Sequence, residues 1–142
     1  MLHSLHNQKE RKVLFVDDDE ILVEMNICRL ESMGCNVIAS TDSLEALEIF
    51  QASPNGFDLI ITDQRMPNMT GIELAKKIKR IRPDIPIILL TGLDDAEAMD
   101  KGLQAGISAC APKVICEQDM AELVDEVLTN RAIKINAWAY LN

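Results

Sequence analysis

Short apolar runs alternate along the chain with stretches of helical spacing. From Val13 to Val16 an apolar run of strand length meets three aspartates, and from Glu20 the apolar positions change to Ile21, Leu22, Met25 and Cys28. The pattern predicts a strand, a short acidic loop and a helix. Gly34 is placed to stop that helix, Asn36 to Ser40 has strand character, and Ser43 is placed to cap a second helix carrying Leu44, Leu47 and Phe50. Pro54, Asn55 and Gly56 predict a turn before Phe57 to Thr62, an almost wholly apolar strand that needs cover on both faces and ends at Asp63. A third helix, about Gly71 to Arg82, puts Leu74, Ala75, Ile78 and Ile81 on one side, and Pro83 and Pro86 bracket the approach to a strand over Ile87 to Leu90. Thr91 and Gly92 finish that strand. Asp94 and Asp95 are placed to cap a helix reaching about Ala105, and Ile107 to Ala111 predicts a short strand. Met120, Leu123, Val124, Val127 and Leu128 then give the last helix a stripe at i, i+3, i+4, i+7 and i+8.

Five strand-helix units of this kind predict an α/β fold: a doubly wound, five-stranded parallel sheet with right-handed crossovers and helices on both faces. At 142 residues the chain suffices for one ordinary domain, and 48% apolar with 26% charged residues predicts a folded core. The formal charge of −9 repels nucleic-acid backbones and anionic lipid, so neither is expected as a direct partner. No apolar run approaches the roughly 18 residues of a membrane span, and Met1 to Lys12 has no signal-like stretch, which predicts a cytoplasmic location. Cys28, Cys35, Cys110 and Cys116 form no C-x-x-C pair and are expected to be reduced packing residues. Residues 1–10, with His3 and His6, are expected to be a flexible lead-in, 11–130 the domain, and 131–142 a C-terminal extension or linker. In that extension Ile133, Ala137, Tyr140 and Leu141 fall at helical spacing, and with Trp138 they predict a docked helix, a dimer contact or the start of a linker.

In open parallel sheets chemistry gathers outside the carboxyl ends of the strands, where the strand order reverses. The loops there hold Asp17, Asp18 and Asp19 after the first strand, Asp63 after the third, Thr91 after the fourth and Lys113 beyond the fifth. Two unit charges 4 Å apart repel by about 4 kcal/mol at an effective dielectric of 20, so clustered carboxylates need a cation. Oxygen-only ligands suit a hard divalent ion, and Mg²⁺ held by one or two carboxylates, waters and a phosphoryl group fits best. Three aspartates ahead of a helix could by themselves simply cap it and complement its dipole. That reading leaves the aspartate, hydroxyl and amine at three other strand ends unexplained. A flavin phosphate would be repelled by the first loop, dinucleotide and Walker A fingerprints are absent, and a hydrolase with an Asp-x-Asp pair would need an acid where Arg65 stands.

These residues resemble the receiver domain of two-component response regulators over roughly Arg11 to Asn130. The stretch from Asp58 to Gly71 closely matches the family's phosphoacceptor strand and following loop, while Val16 to Asp19, Leu90 to Gly92 and Lys113 match its other signatures in order. The resemblance implies a flavodoxin-like sheet of order 2-1-3-4-5. It implies that Asp63 accepts a phosphoryl group from a histidine kinase or a histidine phosphotransfer protein, changing affinity for a downstream protein or output domain. Asp18, Asp63 and the carbonyl of Arg65 would ligate Mg²⁺, with Asp17 acting largely through water. Thr91 would hydrogen-bond the phosphoryl oxygens and Lys113 would pair with them. Asp19 is expected to cap the first helix. Catalysis would be limited to the domain's own phosphorylation and dephosphorylation, and a homodimer is compatible with the pattern. Arg65 and Leu93 resemble family sites that tune phosphoryl lifetime.

The chain departs from the family at two places. Val114 stands after Lys113 where the family usually has proline, often with a cis bond that aims the lysine; a trans bond here predicts a differently directed Lys113. Cys110 stands three residues before the lysine, where the family commonly places Tyr or Phe, so the usual aromatic switch is expected to be missing or replaced by backbone movement around Thr91. A degenerate receiver that binds partners without switching, and the excised receiver of a hybrid kinase or transcriptional regulator, are the alternative readings.

Overall fold

The strand-length apolar runs pair as parallel strands because each is followed by a crossover helix that leaves no room for a hairpin. The computed structural model describes residues 10–92, 95–129 and 135–136. Strand β1 (Arg11–Val16) leads through an acidic loop to helix α1 (Glu20–Ser32), followed by β2 (Cys35–Ser40) and α2 (Ser43–Ala52). A 3₁₀ turn (Pro54–Gly56) precedes β3 (Leu59–Asp63) and α3 (Gly71–Ile81), then β4 (Ile87–Thr91), α4 (Ala96–Gln104), β5 (Ala109–Pro112) and α5 (Glu117–Thr129). These strands run parallel in the order β2-β1-β3-β4-β5, the doubly wound arrangement expected from the sequence.

A sixth strand, β6 (Ile135–Asn136), continues the sheet by pairing parallel to β5, with Ala109 opposite Ile135 and Cys110 opposite Asn136. It adds a two-residue edge strand to the five predicted ones, inside the segment for which the sequence offered a docked helix, a dimer contact or a linker. Without these two residues β5 would present an edge with free backbone groups, which their pairing satisfies. Residues 1–9, Leu93 and Asp94, and Ile133, Ala137, Trp138, Tyr140 and Leu141 lie outside the described residues.

Alternation within each strand divides the core into two layers. Leu14, Val16, Ile60, Ile87 and Leu89 face one side with Phe50, Leu74 and Ile78 from α2 and α3, while Val13, Phe15, Leu59, Ile61, Ile88 and Leu90 face the other with Val23, Leu30, Met120, Leu123 and Val127 from α1 and α5. Every residue of β3 and β4 is buried, as central strands covered on both faces require.

Local chemistry moves several boundaries. Asp42, not Ser43, caps α2, accepting the Leu44 amide at 2.9 Å, whereas the Ser43 hydroxyl donates to the Pro67 carbonyl at 3.2 Å. Strand β3 starts at Leu59 because the Asp58 carboxylate takes the Lys12 amide at 2.9 Å, and the Asp58 amide donates to the Lys12 carbonyl at 2.8 Å. Ile107 precedes β5 because its amide closes the end of α4 on the Gly102 carbonyl at 3.1 Å. The register sets Val16 opposite Thr62, Asp63 opposite Leu90 and Thr91 opposite Pro112, which brings the polar ends of β1, β3, β4 and β5 to one edge.

Candidate metal centre at the carboxyl edge of the sheet

At the end of β1 the Asp17 amide donates to the Ser40 carbonyl at 3.2 Å, so the chain is still held to β2 as it leaves the sheet. The Asp17 carboxylate accepts the Asp19 amide at 3.0 Å, folding the loop over it. Asp19 in turn caps α1, accepting the Ile21 and Leu22 amides at 3.0 and 3.2 Å. Asp18, between them, is exposed. Asp63 closes β3 with only 3% of its surface exposed, and Asp17 has 1%.

One ligand oxygen from each of Asp17, Asp18 and Asp63 lies within 4.8 Å of the other two. Lys113 reaches this group from the loop after β5, its Nζ 3.2 Å from Asp63 Oδ2 and 3.5 Å from Asp17 Oδ2. Among the described residues there is no cis peptide bond, so the bond between Lys113 and Val114 is trans. Even so, Lys113 points into the crevice, which corrects the expectation of a different direction. Its amide donates to the Thr91 carbonyl at 3.0 Å, fixing the loop, and two buried carboxylates attract the ammonium. Val114 faces outward.

The electrostatics show a deficit of positive charge. Burial pushes the Asp17 carboxyl up to about 6, with the Asp63 charge adding to the rise, while the Asp19 amide and Lys113 pull it back. Burial also raises Asp63, against the opposing pull of Lys113. For Lys113 burial works downward, and the Asp63 and Asp17 carboxylates outweigh it and hold the ammonium above its ordinary range. Three acids and one ammonium therefore meet in a mostly buried pocket of oxygen donors, a donor set that suits a hard divalent cation.

Thr91 is buried at the end of β4, and its hydroxyl donates to Asp95 Oδ2 at 3.3 Å. The same oxygen meets Arg65 Nε at 3.4 Å, while Asp95 Oδ1 accepts the Ala98 amide at 3.2 Å and caps α4. The cap is readable in the sequence; the link from Asp95 to Thr91 and Arg65 is not, because it depends on how the loops meet. Gln64 is another residue the pattern does not single out. Its carbonyl accepts the Gly71 amide at 3.0 Å and its side chain accepts the Ile72 amide at 2.9 Å, seating the start of α3 beside Asp63. Cys110 is wholly buried, with Sγ 3.6 Å from the Met99 carbonyl, and burial pushes its thiol up to about 12. It is a packing residue under α4, with neither the size nor the exposure of an aromatic switch.

Comparison with known proteins gives a consistent result. The family described as the response regulator receiver domain matches residues 13–141. The chain is 30% identical over 123 residues to "Transcription factor SKN7" of Chaetomium thermophilum, covering 87% of this chain and 16% of the relative. It is 31% identical over 123 residues to the "Alkaline phosphatase synthesis transcriptional regulatory protein PhoP" of Bacillus subtilis, covering 87% of this chain and 50% of the relative. The crystal structure of a response regulator receiver domain protein from Clostridium thermocellum superposes with a TM-score of 0.81 at 28% identity, covering 86% of this chain and 97% of that one. Across eight curated relatives the chain spans between 16% and 53% of their length.

Proposed function

The chain belongs to the response regulator receiver domain family, and on that premise we propose that Asp63 is its phosphoacceptor, loaded in a Mg²⁺-dependent reaction by a histidine kinase or a histidine phosphotransfer protein. The observation that carries this reading is the meeting of Asp63 with Lys113 at 3.2 Å inside a group of three carboxylates. Transfer to a carboxylate needs alignment and neutralisation more than covalent chemistry from the protein. Asp17, Asp18, Asp63 and the Arg65 carbonyl are the groups that would hold Mg²⁺, which when bound supplies positive charge at the transferring oxygens. Lys113 supplies a second positive charge, and the Thr91 hydroxyl donates to a phosphoryl oxygen. Residues 11–130 form the receiver unit in this reading and 131–142 an extension of it, supported by the return of Ile135–Asn136 to the edge of β5. Phosphorylation would then change affinity for a downstream protein or an attached output domain.

Incubation with acetyl phosphate and Mg²⁺ should add one phosphoryl group at Asp63, detected by intact mass and by borohydride trapping of the acyl phosphate. Asp63→Asn should add none, and chelation of the metal should remove the reaction from the wild type. Buried Cys110 in place of an aromatic favours a second reading, a receiver that binds partners without switching. A wild type as unresponsive as Asp63→Asn would support that second reading and sink the first. The predicted cytoplasmic location belongs to the same proposal; among the described residues no helix is long and apolar enough to cross a membrane.

A further inference from the structure

Three elements meet at one carboxylate. Asp95 Oδ2 accepts the Thr91 hydroxyl from β4 at 3.3 Å and pairs with Arg65 Nε from the loop after β3 at 3.4 Å, while Asp95 Oδ1 accepts the Ala98 amide in the first turn of α4 at 3.2 Å. A helix cap requires only one of these oxygens. The second has a separate function: it holds the buried hydroxyl that the phosphoacceptor reading assigns to the phosphoryl group.

We infer that Asp95 is a positioning residue that competes with the phosphoryl group for the Thr91 hydroxyl and thereby couples occupancy of Asp63 to the first turn of α4. The inference rests on the phosphoacceptor reading. A threonine hydroxyl has one proton to donate, so it serves either Asp95 or a phosphoryl oxygen. A phosphoryl group brings about −1.5 to −2 charges and three strong acceptor oxygens, and it draws the Thr91 hydroxyl. The Asp95 carboxylate then loses its bond to Thr91, and the first turn of α4 loses its side-chain tie to the end of β4 while the Asp95 amide stays on the Gly92 carbonyl. This route needs no aromatic side chain. It operates where Cys110, buried beneath α4 with Sγ 3.6 Å from the Met99 carbonyl, cannot rotate a large group into or out of the sheet edge.

The test uses beryllofluoride with Mg²⁺ as the phosphoryl analogue, with affinity measured by titration for the wild type, Asp95→Asn, Asp95→Ser, Thr91→Val and the double variant Asp95→Asn with Thr91→Val. Asparagine and serine both keep a capping oxygen and remove the second carboxylate oxygen, so α4 remains capped. Each Asp95 variant should bind beryllofluoride about three- to tenfold tighter than the wild type, the range expected for releasing one hydrogen-bond donor from a competing acceptor. The gain should vanish in the Thr91→Val background, an outcome that a merely structural role would not produce. Hydrogen exchange across the first turn of α4 should speed up on beryllofluoride binding in the wild type and stay unchanged in Thr91→Val. Affinities equal across wild type and Asp95 variants, or a gain that persists without Thr91, would overturn the coupling alone. A wild type that takes up no beryllofluoride would overturn the phosphoacceptor reading and the coupling with it.

Discussion

Asp17→Asn is expected to stabilise the metal-free protein by about 2–3 kcal/mol at neutral pH while removing most of its stabilisation by Mg²⁺. The carboxyl is 1% exposed and burial pushes it up to about 6 from 3.8, so its ionised form is held in the folded state at a free-energy cost. Lys113 stands 3.5 Å from Asp17 but also 3.2 Å from Asp63, and one ammonium does not offset both acids. An amide carries no charge to desolvate, and its oxygen can still accept the Asp19 amide that folds the loop. Denaturant melts with and without Mg²⁺ measure both effects. A lower metal-free midpoint for the variant would mean that the attraction of Lys113 outweighs burial.

The same shift fixes a pH dependence with a definite sign. Between 3.8 and about 6 the folded state holds a proton on Asp17 that the unfolded chain releases, so this group's contribution falls as pH rises through that window and is level above it. The stability gap between Asp17→Asn and the wild type should therefore open across that window. Mg²⁺ competes with the proton for the carboxylate, so its affinity should climb over the same range and flatten above it. Lys113 adds nothing to this slope, because a raised ammonium contributes stability that is lost only above its ordinary value of 10.5.

Much of this arrangement is legible in the sequence because the rules involved are local. Alternation of Val13 to Val16 with the α1 stripe, and the solidly apolar runs at β3 and β4, dictate a parallel sheet covered on both faces. The sheet in turn sends Asp17, Asp18 and Asp63 to one edge, where their oxygens lie within 4.8 Å. What depends on contacts between loops escapes such rules. The pairing of Ile135 with Ala109 of β5 and the bond of Arg65 to the second oxygen of Asp95 join positions 26 and 30 residues apart, while the Thr91–Asp95 and Gln64–Ile72 bonds are near in sequence but depend on how their loops fold. Lys113 shows the same limit from the other side: Val114 argues against the family's usual geometry, yet the buried charges around the crevice draw the ammonium inward.

Gly71→Ala is expected to cost about 3 kcal/mol or more and to slow phosphorylation of Asp63 at least about tenfold, reversing the usual advantage of alanine over glycine in a helix. A Cβ at Gly71 would overlap the carbonyl oxygen of Asp63 and sit 2.9 Å from Leu89 Cδ1, closer than real side chains approach. Helix α3 cannot simply draw back. Its first turn is held by the Gly71 amide on the Gln64 carbonyl at 3.0 Å, the Ile72 amide on the Gln64 side chain at 2.9 Å, and a capping box between Thr70 and Glu73. The strain must then pass into the end of β3, where the displaced atom belongs to the phosphoacceptor's own backbone. Gly34→Ala is the control, since Gly34 has a left-handed φ of 89° but nothing within 4 Å of an added Cβ. It should cost about 1 kcal/mol through its backbone alone and leave acetyl phosphate turnover and Mg²⁺ affinity unchanged. Equal destabilisation by the two alanines, with turnover intact in both, would show that α3 shifts to absorb the overlap. A selective loss of turnover in Gly71→Ala would show that the close seat of α3 sets the position of Asp63.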